Sequence, residues 1–138
     1  MNHYTYEEIY VGQEERFSVT ITEDMLNRFT DITGDVNPMH HDRDYAIKAG
    51  FSDRIAFGML TASFLSTLAG VYIPGEFSLI HTVDVEFVKP VFIGDILTIV
   101  GTVVEKNDIF KAIWLKVVIK NQEGKKVCRA KMRVGIQK

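Results

Sequence analysis

"IAFGMLTASFLSTLAGVYIPG", residues 55–75, runs without a single charged side chain. A stretch of that length is long enough to cross a bilayer as a helix. Its composition argues otherwise. Gly58, Gly70 and Pro74 interrupt it, and the hydroxyls of Thr61, Ser63, Ser66 and Thr67 dilute its apolarity. No cluster of positive charge flanks either end. The large residues carry a helical period: Leu60, Phe64, Leu68 and Tyr72 form one stripe, widened by Met59, Leu65 and Val71. A helix apolar on most sides is what a folded domain buries at its centre. The expectation is a helix from about Gly58 to Tyr72, ended by Pro74-Gly75.

What surrounds this stretch defines the container. Upstream, "EERFSVTI" alternates with Phe17, Val19 and Ile21 on one face and predicts a strand. Thr22 is placed to cap a helix over residues 23–33, with Glu23 and Asp24 at its positive end and Gly34 as its stop. Asn37-Pro38 marks a loop or single turn, and Asp42 is placed to cap a short helix over 43–49. Downstream, four strands are predicted. "SLIHTVDVEFVKP" sets Val83, Val85 and Phe87 against Thr82, Asp84 and Glu86, and "DILTIVGTVVE" is apolar on both faces. "FKAIWLKVVIK" keeps Ile113, Leu115, Val117 and Ile119 in phase. "VCRAKMRVG" sets Cys128, Ala130, Met132 and Val134 against Arg129, Lys131 and Arg133. Strand, helices, then four strands is an α+β order with an antiparallel sheet. The economical packing wraps one long curved sheet around the uncharged helix. With no repeat or linker, residues 1–138 are expected to form a single domain.

Composition excludes several function classes. The formal charge of -2 gives no nucleic-acid footprint. One cysteine, Cys128, cannot form an internal disulfide, and no cysteine-based zinc site is expected. The N-terminal "MNHYTYEEIYVGQEE" lacks a basic region followed by an apolar core, so a cytoplasmic location is expected.

The chemistry concentrates in "DITGDVNPMHHD", residues 31–42. Asp35 and His40 lie on either side of Asn37-Pro38. Proline fixes its own φ and biases the residue before it away from helix, which favours an ordered loop. Such a loop could bring carboxylate and imidazole together around one water and move protons near neutral pH. On spacing alone, an Asp and a His in a proline-containing loop are more often surface residues than a catalytic pair.

Two blocks, "FTDITGDVNPMHHD" and "AGFSDRIAFGMLTASFLS", resemble the MaoC-like hydratase family, the (R)-specific enoyl-CoA hydratases. The likeness lies in a Gly-Asp-x-Asn-Pro-x-His run followed by an apolar Gly-Met-Leu helix start at matching spacing. The resemblance implies the hot dog fold, a long antiparallel sheet around one central helix. It implies that Asp35 and His40 position and activate water, and that the Gly58 N–H polarises the thioester carbonyl. A helix start suits that last role, because its N–H groups are free and the dipole is positive there. Asn37 matches a residue that shapes the loop, and is also an ordinary turn former before proline.

This chain departs from the family pattern in two places. Many members have His where Phe57 stands, so this position is expected to pack or line the pocket mouth. His41 replaces a residue that is often aliphatic. His40 keeps the family spacing from Asp35, and His41 is expected to be exposed or bonded to the loop. His81 is expected to be structural. Ser63 and Ser66 are expected on the buried helix, as acyl-pocket lining or bonded back to helix carbonyls. The Arg129, Lys131 and Arg133 stripe is either a solvated face or a contact for CoA phosphates or an acidic carrier protein.

The resemblance thus implies reversible hydration of trans-2-enoyl thioesters to (R)-3-hydroxyacyl thioesters. No metal and no cofactor is expected beyond the CoA or acyl carrier protein on the substrate. Partners implied are that thioester and a second copy of the chain, with no nucleic acid and no membrane. The alternatives are a hot dog acyl-CoA thioesterase, since fold does not decide chemistry, and a non-catalytic acyl-CoA-binding protein.

Overall fold

The computed structural model describes residues 1–138. Strand β1 (Glu14–Thr20) leads into helix α1 (Glu23–Thr33), the one-turn helix α2 (Pro38–His41), and helix α3 (Arg43–Lys48). The central helix α4 (Gly58–Thr67) follows, and then strands β2 (Ser78–Phe87), β3 (Ile96–Asn107), β4 (Ala112–Lys120) and β5 (Lys126–Ile136). All strand pairings are antiparallel, in the order β1-β3-β4-β5-β2.

The local signals act as expected along most of the chain. Thr22 accepts a hydrogen bond from the Met25 N–H, and Gly34 closes α1 at φ 72°. Asn37 and Asp42 cap the next two helices through the Met39 and Tyr45 N–H groups. One face of the sheet closes on α4. Ile99, Ile113, Leu115, Val117, Ile119, Cys128, Met132 and Val134 are all buried there. Leu65 and Leu68 meet them from the helix side. Gly101 in β3 permits this approach: a Cβ there would lie 2.7 Å from Leu68 Cδ2.

The central helix differs from expectation in two respects. Its last turn, Leu68–Tyr72, widens to π winding instead of continuing the α-helix. It is also bare on one side. Met59 is 65% exposed, and Ser63, Ser66 and Val71 share that exposure, so they do not widen the buried stripe. No helix of the structure is long and apolar enough to cross a membrane.

Strand β2 departs from its pattern too. It is an outer strand, and Val83 and Phe87 stay substantially exposed while Val85 packs on the core. Its register shifts between Ile80 and Thr82. His81 occupies that irregularity and lies over Gly135, where a Cβ would come within 2.7 Å of its Nε2. At the N-terminus, Thr5 and Glu8 form a capping box around a short 3-10 turn.

Candidate active site

The loop of residues 35–41 is held against the start of α4 by backbone bonds. The Ile55 N–H donates to the Met39 carbonyl at 3.1 Å, and the Ala56 N–H to the Val91 carbonyl at 2.7 Å. These bonds seat residues 55–57 between the histidine loop and the strand side of the molecule. Arg54 adds a clamp. Its Nε donates to the His40 carbonyl at 2.8 Å and its guanidinium to Glu23 Oε1 at 2.9 Å, tying the loop to α1.

His40 Nδ1 lies 2.7 Å from the Ile55 carbonyl oxygen. A carbonyl only accepts, so Nδ1 carries the hydrogen. In the neutral ring this leaves Nε2 as the acceptor, the state a general base needs. Phe57 stacks on the imidazole face, with ring centroids 4.1 Å apart. Phe57 is itself buried against Phe29, so the histidine is packed from behind. Of the two places expected for Phe57, packing or the pocket mouth, the structure has it packed: it backs His40 and is not among the residues that line this cavity.

His41 is committed differently. Its Nε2 sits 3.1 Å from the Asp35 carbonyl and 3.2 Å from Thr30 Oγ1. Thr30 passes its own hydrogen to the Leu26 carbonyl. His41 Nε2–H is therefore a donor to the loop and to α1, and His41 is not among the residues that line the cavity beside His40.

A cavity of about 300 Å³ opens beside this arrangement, lined by His40, Gly58, Thr61, Phe87, Lys89 and Val127 among others. Gly58 is the first residue of α4, and no carbonyl or side chain accepts from its N–H. A Cβ at Gly58 would stand 3.2 Å from the Phe87 ring, so glycine keeps this corner open.

The structure thus brings His40 and Gly58 to one cavity. It does not bond Asp35 to His40. Asp35 is exposed, and its Oδ1 accepts from the Asn37 N–H at 3.0 Å, closing an Asx turn that leaves Oδ2 without a protein partner. Asn37 serves as the α2 cap. Ser66 is on α4 as expected, but on its bare side, and it is not among the residues that line this cavity. Ser63, also outward, bonds back to the Leu60 carbonyl at 2.6 Å. Arg129 of the positive stripe pairs with Glu86 at 2.7 Å and holds that carboxyl below its ordinary range. No group of three or more His, Cys, Asp or Glu side chains converges to hold a metal.

Arg54 and Thr61 were not legible as site residues. Arg54 gives no motif signal. Thr61 had one: it stands three positions after Gly58, on the same helix face.

Sheet order and central helix define the hot dog class of fold, here with an imidazole and an open helix start facing one cavity. A family model described as "MaoC like domain" matches residues 8–125, and the chain belongs to the MaoC-like dehydratase family. It is similar to an (R)-specific enoyl-CoA hydratase of Rhodospirillum rubrum, 39% identical over 101 residues, covering 73% of this chain and 69% of that protein. A 3-hydroxybutyryl-CoA dehydratase of Methylorubrum extorquens is 34% identical over 72% of this chain and 64% of its own length, so this chain spans less than two thirds of it. Among solved structures, the unliganded R-hydratase PhaJ1 from Pseudomonas aeruginosa superposes with a TM-score of 0.91 at 31% identity, covering 96% of this chain and 84% of that one. The (R)-hydratase from Aeromonas caviae gives 0.91 at 29%, covering 94% and 98%.

Proposed function

We propose that this chain is a hydratase that adds water reversibly to trans-2-enoyl thioesters, giving (R)-3-hydroxyacyl thioesters. The carrying observation is the pairing, in one cavity, of His40 with Nδ1 pinned to Ile55 and Gly58 with its N–H free. Relatives named for this reaction support the substrate class and the (R) outcome.

The geometry supports the following sequence. The thioester oxygen accepts from the Gly58 N–H at the positive end of α4. His40 Nε2 removes a proton from water as the oxygen bonds to the β-carbon. The C=C electron pair moves toward the thioester, whose oxygen gains negative charge. That proton then passes from His40 to the α-carbon on the same face, while the Asp35 carboxylate accepts from the water through its free Oδ2 and orients it. No net proton is gained or lost. CoA or an acyl carrier protein enters as part of the substrate, with no further cofactor in the scheme.

A homodimer fits the bare side of α4 and the unpaired outer edge of β2, where Leu79, Val83 and Phe87 are exposed. Such an edge is a liability that a second copy removes. A cytoplasmic site of action completes the reading. The test is direct: trans-2-enoyl-CoA is added and loss of the conjugated enoyl absorbance is followed, with free thiol measured alongside. Loss of absorbance without thiol release is expected. Thiol release instead supports a thioesterase.

A further inference from the structure

The Thr61 hydroxyl is the one buried side-chain polar atom without a hydrogen-bond partner. Thr61 is 2% exposed and lines the same cavity as His40 and Gly58. Other helical hydroxyls here behave in the ordinary way. Thr30 donates to the Leu26 carbonyl, Thr33 to Phe29 and Ser63 to Leu60. Thr61 cannot follow them readily, because the Phe57 carbonyl four residues back already accepts from the Leu60 and Thr61 N–H groups at 3.1 and 3.3 Å. A carbonyl has two lone pairs, and both are engaged.

A buried hydroxyl without a partner is destabilising. Helical side chains lean toward the helix N-terminus, so a residue three positions after Gly58 covers the turn where the Gly58 N–H stands open. Threonine in a helix has two accessible χ1 wells, and no hydrogen bond holds this side chain in either. We infer that the Thr61 hydroxyl is a second donor to the thioester oxygen, acting beside the Gly58 N–H. This rests on the thioester reading of the cavity. One N–H fixes an oxygen along one direction. A second donor holds it in a plane and shares the charge that develops during addition.

The test compares wild type with Thr61→Val and Thr61→Ser. Valine keeps the shape and removes the hydroxyl. Thr61→Val is expected to melt at or above the wild-type midpoint. Its kcat on a trans-2-enoyl-CoA should fall on the order of 10²-fold, with KM little changed. Thr61→Ser should retain most of the activity. Butyryl-CoA with an isotope-labelled carbonyl, bound to each protein, adds a readout independent of turnover. Its carbonyl stretch should shift to lower frequency in wild type and the Ser variant, and move back toward the value in water in the Val variant. Unchanged kcat together with an unchanged stretch in Thr61→Val overturns the assignment, even where wild type hydrates its substrate. A wild type that binds butyryl-CoA with a Thr61-dependent stretch but does not hydrate overturns the reaction and upholds the donor. Failure of wild type to bind butyryl-CoA overturns both.

Discussion

His40 donates through Nδ1 to the Ile55 carbonyl at 2.7 Å, and this one bond fixes both the tautomer of the ring and its place beside the start of α4. Most of the proposed chemistry depends on it.

His40→Ala should lower kcat by ~10²–10⁴-fold without unfolding the protein, the usual range for a general base. Asp35→Asn should fall in the same range. His41→Ala should be much milder, because His41 Nε2 holds the Asp35 carbonyl and Thr30 and the residue does not line the cavity. Steady-state rates on one enoyl-CoA decide this. A near-normal His40 variant beside a dead His41 variant reverses the assignment.

Gly58→Ala keeps the N–H but sets a methyl 3.2 Å from the Phe87 ring. Crowding should displace the ring or the thioester and lower kcat/KM by ~10- to 10²-fold, the scale of a small misplacement at a reacting centre. Adding Phe87→Leu should recover part of the loss. Simple additivity of the two losses would show that the ring is not what the methyl meets.

Val83→Glu places a charge on the unpaired outer strand β2, where Val83 is exposed in the single chain. Light scattering at micromolar concentration should give a dimer for wild type and a monomer for the variant. A wild-type monomer with full activity contradicts the dimer.

Tyr6 links the N-terminal segment to the β3–β4 hairpin. It is buried, donates to Asp108 Oδ1 at 2.5 Å, and carries Lys106 over its ring. Burial first, then the Asp108 bond, pushes its phenol from 10.0 up to about 12. Between those values the unfolded chain has lost the phenolic proton and the folded chain has kept it. This contribution is therefore complete below pH 10 and lost as pH rises through about 12. Urea unfolding over that window should show wild type losing stability faster than Tyr6→Phe. Parallel curves would contradict the shift.

The fold was legible because local and long-range demands agree. Thr22, Asp42 and Gly34 mark helix ends through their own backbone bonds, and the in-phase apolar residues of β4 and β5 leave one face to bury. The bare side of α4 was not legible. Met59 and Val71 are apolar by composition, and periodicity cannot say whether the surface that covers them belongs to the same chain. His40 and Gly58 were found through the motif, whose spacing reflects a fixed loop-to-helix distance. The Arg54 side chain grips the His40 carbonyl and His40 Nδ1 grips the Ile55 carbonyl, and a backbone acceptor leaves no mark on residue identity. Asp35 was legible as a residue, yet its Oδ1 is spent on the Asn37 N–H, a local bond that spacing does not reveal.

The central claim is that His40 and Asp35, on one loop, deliver water to one face of an enoyl group held at Gly58. Crotonyl-CoA in deuterated water, with chiral analysis of the product and NMR at the α-carbon, tests it most directly. The account predicts (R)-3-hydroxybutyryl-CoA with oxygen and deuterium added to the same face. An (S) product, or addition to opposite faces, would contradict it.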